Sequence, residues 1–108
     1  MKKIIIIDSS KKEIEHTHFS GKHGDVFNLV DKKANRLCAL RVESPNGKQF
    51  NIFFDEDQNM YKYKNYVVFG GQMIWGNIVI GSLTPDQTEF MNVSKEDFEL
   101  MKPLFEFD

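Results

Sequence analysis

A chain of 108 residues, 41% hydrophobic and 28% charged, has room for one core, and no apolar run approaches the roughly 18 residues of a membrane helix. One cysteine, Cys38, rules out an internal disulfide and fits a reducing, cytoplasmic setting. Net charge is only −2, yet residues 1–54 hold ten Lys/Arg against six Asp/Glu and residues 55–108 hold four against ten, so the second half is acidic.

From the start of the chain, Met1-Lys2-Lys3 and Ile4 to Ile7 resemble the opening of a signal peptide. The apolar run stops at Asp8, short of the roughly 7–15 residues such a segment requires. Lys3 to Asp8 instead predicts a strand buried on both faces, because four successive isoleucines leave neither face polar. Glu13 to Phe19 and Val26 to Val30 predict the next two strands, joined by a glycine-punctuated segment. Leu37 to Glu43 and Lys48 to Phe54 flank Ser44-Pro45-Asn46-Gly47, where Asn-Gly supplies the positive φ of a hairpin.

After Asp55-Glu56-Asp57, strands are expected over Tyr61 to Phe69 and Met73 to Ile80, with Gly70-Gly71 turning the chain between them. Gly76 and Gly81 mark places where the sheet bends or bulges. Thr84-Pro85-Asp86-Gln87 has the order of a helix start: a capping residue, proline at the first helical position and glutamine at the third. Ser94-Lys95-Glu96-Asp97 is a second start, followed by an apolar face of Phe98, Met101 and Phe105 with Leu104 beside it. Pro103 limits or kinks that helix. The expected fold is α+β and strand-dominated. It is one domain over residues 1–108, a curved antiparallel meander of about seven strands with a C-terminal helix on or beside it. Ten Phe, three Tyr and one Trp agree with a β-rich chain, since rings favour pleated, half-buried surfaces.

Three constellations bear on function. His16, His18 and His23 are all the histidines of the chain. On a strand His16 and His18 share a face, about 6.6 Å apart, and a third imidazole could complete a zinc site. Glu13, Glu15 and Asp25 are the nearby carboxylates, but no second cluster supplies an obvious fourth ligand, so the expectation is no metal and no cofactor. Tyr61-Lys62-Tyr63-Lys64-Asn65-Tyr66 interleaves rings and cations, as single-stranded nucleic-acid sites do. The acidic balance and the adjoining Asp55-Glu56-Asp57 argue against that use. Cys38, within Leu37-Cys38-Ala39-Leu40, reads as a buried structural thiol, and Gly70-Gly71 lacks the Lys-Ser/Thr ending of a phosphate loop.

The expected function is therefore non-enzymatic protein binding. Its most concrete form is a small cytoplasmic antidote or immunity-type protein that neutralises a basic, nuclease-like toxin by direct contact. The contact residues expected are the acids Asp55, Glu56, Asp57, Glu96, Asp97 and Glu99, with Tyr63, Tyr66 or Trp75 as ring anchors. The alternatives are a metal- or small-ligand domain built on His16, His18 and His23, and nucleic-acid binding through Tyr61 to Tyr66.

Overall fold

Residues 2–108 are described by the computed structural model. In chain order they form β1 (Lys2–Asp8), β2 (Glu13–Phe19), α1 (Asp25–Val30), β3 (Leu37–Glu43), β4 (Gln49–Asp55), β5 (Tyr66–Phe69), β6 (Gln72–Trp75), β7 (Ile78–Leu83), β8 (Phe90–Met91), α2 (Lys95–Met101) and β9 (Phe105–Phe107), with a 3₁₀ turn at Lys102–Leu104. The architecture is α+β, dominated by antiparallel strands. The main sheet has the order β2-β1-β7-β4-β3, with β8 paired to β7, and a small sheet has the order β6-β5-β9.

Hydropathy decides which strand sits where. Ile78, Val79 and Ile80 are fully buried, and so are Ile4, Ile5 and Ile7 within 1%. Strands with no polar face take the centre, while β2, carrying Glu13 and Glu15, takes an edge. Hairpins β1–β2 and β3–β4 are sequential, but β7 enters between β1 and β4, so the chain order is not that of a simple meander.

Both faces of the main sheet are covered. Ile5, Ile7, Phe50, Ile52, Phe54, Ile78 and Ile80 pack with Val67 and Ile74 of the small sheet, and with Val93, Met101 and Phe105. On the other face Ile4, Phe19 and Val79 pack with Val26 and Val30 of α1 and with Phe90. Gly81 lies beneath Phe90, and a Cβ there would stand 2.6 Å from the ring.

Several predicted elements hold. Gly47, at φ +83°, turns β3 into β4, and its N–H donates to Ser44 O over 2.9 Å. Gly70 and Gly71, both at positive φ, connect β5 to β6. Ser94 caps α2, its Oγ accepting from Asp97 N at 3.0 Å. Met101 and Phe105 are buried and Phe98 is half-buried, the expected apolar face.

Four predictions are corrected. Val26–Val30 is helix rather than strand: Asp25 N and Val26 N bond back to Lys22 O and His23 O, and Val26 and Val30, one turn apart, bury the same side. The segment from Tyr61 becomes a strand only at Tyr66, because Asn59 caps a turn through Tyr61 and Lys62. Met73–Ile80 is broken at Gly76 (φ +95°), where the chain passes from the small sheet to the main one. Thr84–Gln87 is a loop, not a helix. Asp86 Oδ1 gathers Thr84 Oγ1, Thr88 N and Thr88 Oγ1, and Gln87 sits at φ +60°. Pro103 does end α2, and the chain then resumes as β9, a strand not anticipated. Cys38 is partly buried and packs against the core, as a structural thiol should.

Candidate partner-binding loop

The histidines do not converge. In an antiparallel pair, directly opposed residues share a face. His16 is opposite Ile5 and His18 is opposite Lys3, on the side that holds α2. His16 donates its Nε2–H to Val93 O over 2.6 Å and stacks on Phe98 at 5.2 Å and 14°. His23 lies across the sheet, against the Phe90 ring at 4.8 Å and bonded to Thr88 O. Among the described residues no group of three or more His, Cys, Asp or Glu is placed to hold a metal ion. The alternative three-histidine site is thus not assembled: His16 and His23 each make a contact within the fold, and the rings of His18 and His23 are exposed.

Residues 55–66 form the feature in which the sequence candidates do come together. Asp55, the last residue of β4, is 1% exposed. Tyr63 Oη donates to its Oδ2 over 2.7 Å, Lys62 Nζ lies 2.7 Å from the same oxygen, and Asp57 N donates to Oδ1 at 2.8 Å. Burial opposes ionisation of Asp55, but the bonds from Lys62, Tyr63 and Asp57 N outweigh it and hold the carboxyl below the usual aspartate range. Burial, and then the neighbouring Asp55, push the Tyr63 hydroxyl well above the ordinary tyrosine value, so it stays a neutral donor.

This buried pair fastens the loop. Asn59 Oδ1 accepts from Tyr61 N and Lys62 N, and its Nδ2 donates to Asp57 O. Gln58 Oε1 accepts from Trp75 N at 2.7 Å and ties the loop to β6. Trp75 is opposite Tyr66 across β5–β6, with ring centroids 4.8 Å apart, and both rings are half-buried. The loop thus projects Met60, 61% exposed, and Tyr61, 93% exposed, beside a hollow of about 460 Å³ whose lining includes Asp31, Lys33 and Lys64.

The other candidate residues divide by position. Asp55 and Tyr63 are interior, so they position the loop rather than touch a partner. Glu56 and Asp57 are exposed, and both meet Arg36, at 3.4 and 2.8 Å. That ion pairing is worth about 1 kcal/mol or less at such exposure, so a partner's cation can replace Arg36 at little cost. Glu96 and Glu99 are exposed on α2, whereas Asp97 is buried and bridged to Lys48, the residue preceding β4. A seven-residue strand, about 23 Å long, separates Lys48 from Asp55, so the acids on α2 and those of the loop stand at opposite ends of the molecule.

Sequence reasoning placed Tyr61 among nucleic-acid stackers and passed over Met60. The stacking arrangement is absent, because Tyr61 points out and Tyr63 points in. The signal that identifies the loop is Asn59 after Asp55-Glu56-Asp57-Gln58, a side chain suited to holding a turn through its own backbone neighbours. Among the described residues no helix is long and apolar enough to cross a membrane. No family model, no curated protein and no solved structure matches the chain.

Proposed function

We propose that the protein is a non-enzymatic, cytoplasmic binding module of the antidote type, which neutralises a basic toxin protein by docking it on the 56–64 loop. The observation that carries this reading is the posture of Tyr61. It is a large ring 93% exposed, on a loop held by at least five hydrogen bonds and anchored to a buried carboxylate. A ring presented this way is unprofitable for folding and suited to binding, because rigid aromatic anchors give contact area without a large ordering cost. Glu56 and Asp57 stand beside it, ready to exchange Arg36 for a cation of the partner.

The test begins with native mass spectrometry of the protein isolated from its own host, followed by co-expression with the partner so identified. The reading requires a stoichiometric complex with a protein that arrests growth when expressed alone. It also requires that Tyr61→Ala and Met60→Ala together abolish the protection. A partner that is harmless alone overturns the antidote role; protection untouched by the double substitution overturns the docking site.

A further inference from the structure

Among the described residues six polar or charged ones are buried, and they fall into two groups. Ser9, Ser44 and Asp55 have side-chain partners: Asn77, Asn46 and Tyr63. Asn51, Ser82 and Asp97, respectively 8%, 9% and 5% exposed, are different. Among the described residues Asp97 Oδ1 is the one fully buried side-chain polar atom without a hydrogen bond, while Oδ2 accepts from Lys48 Nζ; Asn51 and Ser82 have no side-chain partner within the chain, but their polar atoms open onto a cleft. The cation nearest Asp97 Oδ1, Lys48 Nζ, lies 3.3 Å away on a side chain that is 59% exposed. Buried polar groups are ordinarily satisfied, so an orphaned Asp97 Oδ1 beside two polar side chains without a protein partner requires an explanation.

They are in one place: all three line a cleft of about 550 Å³ at the opposite end of the main sheet from the loop. The topology opens it. β4 stays paired with β3 back to Gln49, whereas its pairing with β7 ends at Asn51–Gly81. Beyond Gly81, β7 turns away to pair with β8. The gap between the parted strands has ligand-site dimensions and mixed apolar and polar walls, including Phe50 and Met91. Arg41, opposite Asn51 in the β3–β4 register, stands at its rim with no ion-pair partner among the described residues.

We infer that this cleft is a binding site for a hydroxyl-rich small molecule carrying one negative charge, of the sugar-acid class. The chemistry follows from what the lining lacks. Asp97 needs a donor, and Asn51 and Ser82 can each use a donor and an acceptor. A hydroxyl, which both donates and accepts, serves all three. Asp97 is already balanced by Lys48, so a second cation there would meet repulsion, while Arg41 leaves one positive charge uncompensated and calls for an anion. On binding, a ligand hydroxyl donates to Asp97 Oδ1 while Lys48 stays on Oδ2, and Arg41 meets the ligand's carboxylate at the rim.

Titration of the ¹⁵N-labelled protein with glucuronate, glucose and acetate, followed by amide shifts, tests this. Glucuronate is expected to move the signals of Asn51, Ser82 and Met91 and to leave those of residues 56–64 in place. Glucose should bind about tenfold more weakly and acetate not measurably, since one charge-assisted contact is worth about that factor. Asn51→Ala should weaken both sugars. Arg41→Gln, an exposed rim change that spares the core, should reduce glucuronate to the level of glucose. No response to glucuronate, an equal response to acetate, or an unchanged affinity in Arg41→Gln each overturns the assignment.

Discussion

Replacing Tyr63 by phenylalanine removes one oxygen and tests the hub of the loop. The hydroxyl donates to buried, ionised Asp55 over 2.7 Å, and a hydrogen bond to a charged group contributes about 1.5–3 kcal/mol. The lower part of that range applies, because Lys62 Nζ on Oδ2 and Asp57 N on Oδ1 keep the carboxylate from being orphaned. A loss of about 1.5–2 kcal/mol is expected, or roughly 6–16 °C in Tm for a domain of this size. Urea unfolding followed by Trp75 fluorescence reads it. The sign of the pH dependence is fixed by Asp55, whose carboxyl is held below its unfolded value. The stability it supplies is complete above about pH 3.9 and is lost as pH falls through the folded value. The variant, with a weaker depression, has less to lose, so the two proteins converge in acid. In alkali the parent again has more to lose. The Tyr63 hydroxyl is raised above its ordinary value of about 10, so the parent loses stability above that pH and the phenylalanine variant is spared this loss. A loss below about 0.5 kcal/mol at neutral pH, or an equal loss at neutral and acid pH, refutes the hub.

Gly81→Ala should cost about 1–3 kcal/mol, because its Cβ would meet the Phe90 ring at 2.6 Å and that ring is hemmed in by Phe19 and Phe53. Adding Phe90→Leu should restore part of the loss in a thermal melt, and an unperturbed single variant would show that the ring moves freely. His16→Ala should cost about 1–2 kcal/mol through its bond to Val93 O and its stack on Phe98. His18→Ala, at an exposed position, should stay within about 0.5 kcal/mol. Equal effects in chemical denaturation would count against the contacts of His16 with Val93 and Phe98. Tyr61→Ala should leave stability within about 0.5 kcal/mol while abolishing capture of the partner, and a large drop in Tm would mean the ring serves the fold instead.

Where sequence and structure agree, the signal was local and redundant. Four isoleucines in succession force burial on both faces, Asn46-Gly47 turns the hairpin, and Ser94 followed by Asp97 starts a helix, each by chemistry within four residues. Where they part, a distant residue decided the outcome. Val26 and Val30 have strand propensity, but they serve one helical face because the second face of the main sheet needed a cover. Asp86 uses its carboxylate to bind two threonines and so closes a loop where Thr84-Pro85 promised a helix. The candidate site was half legible. Asp55-Glu56-Asp57 and the tyrosines were visible as a cluster. Which of them turn inward depends on Gly76, whose missing side chain admits the Tyr63 ring at 3.1 Å from where a Cβ would sit. The cleft was not legible at all, since Asn51, Ser82 and Asp97 come from three elements and nothing in their spacing links them.

The two ends of β4 follow opposite rules. At Asp55 the polar groups are paired, and that pairing makes the loop stiff enough to hold Tyr61 out in water. At Asn51 and Asp97 the polar groups keep spare capacity, and the walls parted by the turn of β7 toward β8 leave space to fill it. β4, paired on both sides and with Phe50, Ile52 and Phe54 buried in the core, has no second arrangement through which one end could inform the other. Coupling between sites requires such a bistable element. Partner binding at the loop and sugar-acid binding in the cleft are therefore expected to be independent, with partner affinity changing by less than about twofold when glucuronate saturates the cleft. A larger change, in either direction, would mean that β4 shifts as a unit between two registers of packing, and the stiffness assigned to the Asp55 hub would have to be given up.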